Sequence, residues 1–127
     1  MDKKRILIID DEVAATRLLQ SNLEQTHHYV VLVENVATAA LASAEHFRPD
    51  LVLMDVLMPG LDGGELAQHF QDSRTLRPVP IVFLTAAATK KEVTTRGGRI
   101  GGLPFLAKPV DMPELIACIE KHLNVQA

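Results

Sequence analysis

Two adjacent aspartates, Asp10 and Asp11, a third at Asp55, a hydroxyl at Thr85 and an ammonium at Lys108 all sit where short apolar runs end. The runs are Arg5-Ile6-Leu7-Ile8-Ile9, Leu51-Val52-Leu53-Met54, Ile81-Val82-Phe83-Leu84 and Phe105-Leu106-Ala107. Three carboxylates offer the hard oxygen donors that a small divalent cation prefers. A hydroxyl and an ammonium beside them would hold a phosphoryl group. Such chemistry requires residues far apart in sequence to meet. An open α/β sheet provides the meeting place, because ligands bind outside the carboxyl ends of its parallel strands.

The elements that would do the positioning are legible in the pattern. The runs ending at Asp10, Asp55 and Thr85 are continuous and rich in Ile, Leu and Val, as strands covered on both faces are. Tyr29-Val30-Val31-Leu32-Val33 supplies a weaker strand, and a short one around Phe105 begins beside Pro104, which suits a strand start or a sheet edge. Ala15, Leu18, Leu19 and Leu23 recur at helical spacing, as do Ala37, Ala40, Leu41 and Ala44. Leu66 and Phe70 mark a third helix after the turn Pro59-Gly60-Leu61-Asp62-Gly63. Asp111 and Glu114 form a capping-box pattern ahead of Leu115, Ile116, Ile119 and Leu123. The alternation of strand and helix predicts a parallel sheet with right-handed crossovers and helices on both faces. One stretch breaks the rhythm. Thr89 and Glu92 suit a short helix over Lys90 to Thr95, but the glycines of Gly97 to Gly102 would each cost about 1 kcal/mol in a helix interior. The fourth helix is therefore expected to be short or partly replaced by a glycine-rich loop, which would be the least protected part of the backbone.

Composition narrows the function classes. A chain of 127 residues, 47% hydrophobic, is expected to form one domain, since two of ordinary size would not fit. A net charge of -3 argues against direct binding of nucleic acid, which usually shows as a basic stripe. No apolar run approaches the length of a membrane span, and no signal-peptide pattern precedes the first strand, so a cytoplasmic protein is expected. The lone cysteine, Cys118, excludes an internal disulfide and lies in the apolar stripe of the last helix, where packing is its expected role. The five histidines show no metal-ligand spacing.

Asp10-Asp11, the segment Leu53-Met54-Asp55-Val56-Leu57-Met58-Pro59-Gly60-Leu61-Asp62-Gly63, the pair Thr85-Ala86 and Lys108-Pro109 together resemble a response-regulator receiver domain of two-component signalling. The similarity runs from about residue 4 to about residue 123, as the core of a single receiver domain over 1–127. It implies a flavodoxin-like, doubly wound five-stranded parallel sheet in the order 2-1-3-4-5. It also implies that Asp55 accepts a phosphoryl group from a histidine kinase or a histidine phosphotransfer protein. Mg2+ would be held by Asp11, Asp55 and the backbone carbonyl of Leu57, with Asp10 acting mostly through water. Thr85 would donate to a phosphoryl oxygen, and Lys108 would pair with Asp55 before transfer and with the phosphoryl afterwards. Lys108-Pro109 would be cis. Phe105 would be the aromatic switch that turns as Thr85 moves, without the hydroxyl a tyrosine would bring.

Plainer roles compete with each assignment. Asp11 alone could cap the first helix, Thr85 could be an ordinary strand-end hydroxyl, Phe105 could simply pack, and Lys108 could be solvated. The competing function is a haloacid-dehalogenase-like phosphohydrolase, which also uses a strand-end Asp and magnesium. That class carries a general-acid Asp two residues after the nucleophile, where Leu57 stands here. Leu57 and Ala87 also occupy the places where receivers position hydrolytic water. Both are apolar, which implies slow loss of phosphate. The chain is accordingly expected to be a stand-alone receiver, a signalling phosphoacceptor that catalyses only its own phosphorylation and dephosphorylation and binds a downstream protein.

Overall fold

Short runs of branched aliphatic residues cannot leave either face in water, so they pair side by side and bury both. The three-dimensional structure is a computed structural model that describes residues 3–58, 61–86, 99–100 and 103–123. Along the chain the elements are β1 (Lys4–Ile9), α1 (Val13–Glu24), β2 (Tyr29–Glu34), a 3-10 turn (Ala37–Ala39) leading into α2 (Ala40–Phe47), and β3 (Leu51–Asp55). The two-residue strands β4 (Leu57–Met58) and β5 (Leu61–Asp62), α3 (Gly63–Asp72) and β6 (Ile81–Thr85) follow. The last elements are β7 (Arg99–Ile100), β8 (Leu103–Ala107) and a final helix, α4 (Met112–Leu123).

Among the described residues the main sheet runs β2-β1-β3-β6-β8-β7. Its first five strands are parallel, in the order expected from the resemblance. The addition is β7, which pairs antiparallel with β8, Arg99 opposite Pro104 and Ile100 opposite Leu103. Two residues of the stretch expected to be a glycine loop therefore cover the edge on which Pro104 lies. The expected short helix over Lys90 to Thr95 lies outside the described residues, as do Gly97, Gly98, Gly101 and Gly102.

Alternate residues of each strand face opposite layers. Leu7, Ile9, Val52, Met54, Ile81, Phe83 and Phe105 pack with Ala40 and Ala44 of α2 and with Leu66, Ala67 and Phe70 of α3. Ile6, Ile8, Leu51, Leu53, Val82 and Leu84 pack with Leu23 of α1 and with Leu115 and Ile119 of α4. Phe70 and Phe83 are among the largest fully buried side chains, and truncation of either to alanine would cost about 3–5 kcal/mol. The expected cap of the last helix is present, with the Glu114 N–H donating to the Asp111 carboxylate at 3.2 Å.

Helix α1 keeps Leu19 and Leu23 of the expected face against the core and departs from it at Leu18. Thr16 and Leu23 are its buried residues, whereas Leu18 is 64% exposed. The polar Thr16 is accommodated because its hydroxyl has backbone acceptors within the helix, Val13 O at 2.9 Å and Glu12 O at 3.0 Å. A threonine satisfied in this way can turn inward and join the packed face.

Candidate functional site

Strand register brings the strand-end residues to one level. Ile9 pairs with Met54, so Asp10 falls beside Asp55. Asp55 pairs with Leu84, and Thr85 comes next along that strand. Thr85 in turn pairs with Ala107, so Lys108 follows immediately at the same rim. A shift of one residue in any pairing would send these side chains to the other face of the sheet.

The turn from β1 into α1 carries the acids. Asp10 is buried and Asp11 is exposed. The Asp10 Oδ1 accepts the Glu12 N–H at 3.0 Å, which folds the turn back on its own side chain. Helix α1 starts at Val13 with Glu12 as its N-cap and no side-chain capping bond. Asp11 is thus not the cap of this helix. One carboxylate oxygen from each of Asp10, Asp11 and Asp55 lies within 4.8 Å of the other two.

Lys108 reaches into this cluster from the end of β8, and the Lys108–Pro109 peptide is cis. Its Nζ stands 2.6 Å from Asp10 Oδ2, 3.2 Å from Glu12 Oε1 and 3.6 Å from Asp55 Oδ2. The pairing of Lys108 with Asp55 that the resemblance implied is present as an ion pair, and Asp10 adds a shorter, hydrogen-bonded one. Burial disfavours the ammonium. The hydrogen bond that Lys108 donates to Asp10, the charges of Asp10 and Asp55, and the hydrogen bond to Glu12 outweigh it and raise the Lys108 pKa above its ordinary value. Glu12 escaped the sequence reading. Its only signal was a third consecutive acid after Asp10 and Asp11.

Thr85 is buried at the end of β6. Phe105 is buried opposite Phe83 in the α2–α3 layer. Leu57 opens β4 two residues beyond Asp55, opposite Asp62. Ala87 lies outside the described residues. Cys118 is half-buried against the α1–α4 layer, and burial raises its thiol pKa, in keeping with packing. Beside Lys108 a cavity of about 460 Å³ opens between α1 and the loop after β8, with Asp10 and Glu12 at its polar part and Leu18, Leu19, Val110 and Met112 among its apolar lining.

The donor set suits a small hard cation. Every side chain in the acidic cluster offers carboxylate oxygen, with no thiolate or imidazole to favour a softer metal. Asp11 is solvent-exposed, so water can complete the coordination that such a cation keeps.

Comparison with known proteins agrees with this geometry. The family model of the response regulator receiver domain matches residues 6–120. Over 118 residues the chain is 39% identical to the response regulator PleD of Caulobacter vibrioides, matching 89% of this chain and 24% of that protein. It is 35% identical to the protein PilH of Pseudomonas aeruginosa, covering 94% of this chain and 97% of PilH. The chain therefore spans about a quarter of one of these curated relatives and nearly all of the other. Its fold matches the receiver domain of the sensor histidine kinase PA1611 from Pseudomonas aeruginosa PAO1 with a TM-score of 0.80 at 27% identity, covering 96% of this chain and 98% of that one. That crystal structure has a magnesium ion coordinated in its active site cleft.

Proposed function

The chain belongs to the response regulator receiver family, and on that premise we propose that Asp55 is the phosphoacceptor of a two-component relay. The observation that carries the proposal is the placement of Asp55, buried at the end of β3 with two further carboxylates within 4.8 Å and the Lys108 ammonium at 3.6 Å. An Asp55 oxygen attacks the phosphorus of a phosphohistidine or a small acyl phosphate. The new O–P bond forms as the donor's N–P or acyl O–P bond breaks, and the departing donor keeps that electron pair.

Asp10, Asp11, Asp55 and the Leu57 carbonyl are the residues that would hold Mg2+. Bound there, the cation neutralises charge on the phosphoryl oxygens. The chain's own groups do the rest. Thr85 donates its hydroxyl to a phosphoryl oxygen, and Lys108 leaves Asp10 to pair with the phosphoryl group. Phe105, packed on β8 across from Phe83, is the switch residue that responds to movement of Thr85. The phosphodonor is a sensor histidine kinase or a histidine phosphotransfer protein, and the apolar cavity beside Lys108 gives it a surface near the acceptor. Output is a change in affinity for a downstream protein. We take residues 4–123 as the core of a single cytoplasmic receiver domain that catalyses only its own phosphorylation and dephosphorylation. Among the described residues no helix is long and apolar enough to cross a membrane. With Leu57 at the place of the general acid and a receiver match over most of the chain, the phosphohydrolase alternative has no support.

Acetyl phosphate with magnesium tests the proposal. Wild type is expected to take up phosphate and Asp55→Ala to take up none. Equal uptake by the two proteins would contradict it. Lys108→Ala is expected to accept phosphate but couple it poorly to conformational change, because the acceptor and the other acids remain.

A further inference from the structure

We propose that Asn35, at the end of β2, is a positioning residue for the cation site, acting through the backbone of the turn that carries Asp10, Asp11 and Glu12. The inference rests on the reading of that site as a magnesium-dependent phosphoacceptor.

Three contacts make the clamp. The Asn35 Nδ2 donates to the Asp10 carbonyl at 2.6 Å and also lies 3.1 Å from Thr16 Oγ1. A carbonyl oxygen can only accept, so the amide nitrogen faces Asp10 and the side-chain orientation is fixed. The Thr16 hydroxyl, receiving from Asn35, sends its own proton to the carbonyl of Glu12 or Val13, at 3.0 and 2.9 Å. One amide thus ties β2 to the backbone before Asp11 and, through a buried threonine, to the backbone after it. The turn is held at both ends.

The turn needs such a device. Asp10, Asp11 and Glu12 are consecutive acids beside Asp55, and their mutual repulsion favours splaying them apart. The Glu12 N–H bond to Asp10 and the Lys108 ammonium hold the side chains of Asp10 and Glu12, while Asp11 is exposed and the uncapped start of α1 adds no further hold. Asn35 adds two hydrogen bonds and no charge. It opposes splaying without altering the charge that attracts the cation. Groups that orient ligands from behind commonly govern metal affinity by tenfold or more.

The test separates affinity from chemistry. Phosphate uptake from acetyl phosphate is measured across a magnesium titration, and the melting temperature of each metal-free protein is measured alongside. Asn35→Ala is expected to raise the half-saturating magnesium concentration by about tenfold, with the rate at saturating magnesium within about twofold of wild type. Thr16→Val, which keeps the shape and loses the hydroxyl, should shift the half-saturation in the same direction. Thr16→Ser, which keeps the hydroxyl, should stay near wild type. A purely structural role would lower the metal-free melting temperature of Asn35→Ala and leave its magnesium half-saturation unchanged, and that result would overturn the proposal. If Asn35→Ala does not fold, the Thr16 pair carries the same decision: equal half-saturation in the valine and serine variants rejects the clamp. A wild type whose phosphate uptake is independent of magnesium would instead sink the underlying reading, and the clamp with it.

Discussion

Asp10 and Asp55 end neighbouring strands at the same level, and both are buried, yet their surroundings differ. Asp10 is tied into the scaffold from three directions. One carboxylate oxygen takes Lys108 at 2.6 Å, the other takes the Glu12 N–H at 3.0 Å, and its carbonyl takes Asn35 at 2.6 Å. Asp55 stands 3.6 Å from the same ammonium, beyond a good hydrogen bond. Equal residue type, depth and register therefore do not imply equal work. Asp10 organises the rim, and Asp55 is the acid to which the proposal gives the attack.

That contrast can be broken most severely by truncating each carboxylate in turn. Both Asp10→Ala and Asp55→Ala relieve repulsion in the acidic cluster, but only the first removes the short bonds to Lys108 and to the turn. In metal-free buffer Asp10→Ala is expected to be less stable than wild type by about 2 kcal/mol through loss of those bonds. Chemical denaturation of wild type and Asp10→Ala is the check, and equal stabilities would erase the organising role given to Asp10. Magnesium should act next in size. A cation that binds the folded cluster and not the dispersed chain at about ten times its Kd stabilises by about 1.4 kcal/mol, which for a domain of this size raises the melting temperature by about 5 °C. Asp11→Asn should remove most of that rise. An unchanged wild-type melting temperature would count against the cation site.

A smaller effect should appear at alkaline pH. The folded-state pKa of Lys108 is raised above 10.5, so the folded protein holds that proton more tightly than the unfolded chain. Its contribution is fully present below about pH 10.5 and is lost as pH rises through the folded value. The stability of wild type relative to Lys108→Met should therefore hold steady to about pH 10 and decline above it. A constant difference through the alkaline range would mean that the ion pair with Asp10 does not contribute. The smallest expected effect is on phosphate lifetime. Leu57→Asn with Ala87→Glu places water-orienting groups beside the acceptor, and the doubly substituted protein should release phosphate several-fold faster than wild type once donor is removed. Equal release rates would show that these two positions do not set the lifetime.

The residues at the strand ends were legible because buried parallel strands write themselves as unbroken aliphatic runs, and a polar side chain at the end of such a run stands out. Asp111 was legible for a similar local reason, since a cap and its helix are contiguous. What escaped depends on long-range contact. Glu12 meets Lys108 across 96 positions and Asn35 meets Asp10 across 25, and no periodicity encodes either pairing. The buried face of α1 was read correctly at Leu19 and Leu23 but missed Thr16, because apolar spacing counts methyl groups and not hydroxyls. Thr16 is buried through its hydrogen bonds, so the pattern overlooked it. The strand β7 is two residues long, too short for any alternation to mark, and glycines on both sides disguised it as loop.

The central claim is that phosphate is carried by Asp55. Wild-type protein incubated with acetyl phosphate and magnesium, then trapped with borohydride, converts an aspartyl phosphate to homoserine at the modified position. Peptide mass spectrometry should locate that conversion at Asp55 and at neither Asp10 nor Asp11. Conversion at Asp10 or Asp11, or phosphate recovered on a histidine or serine, would contradict the account.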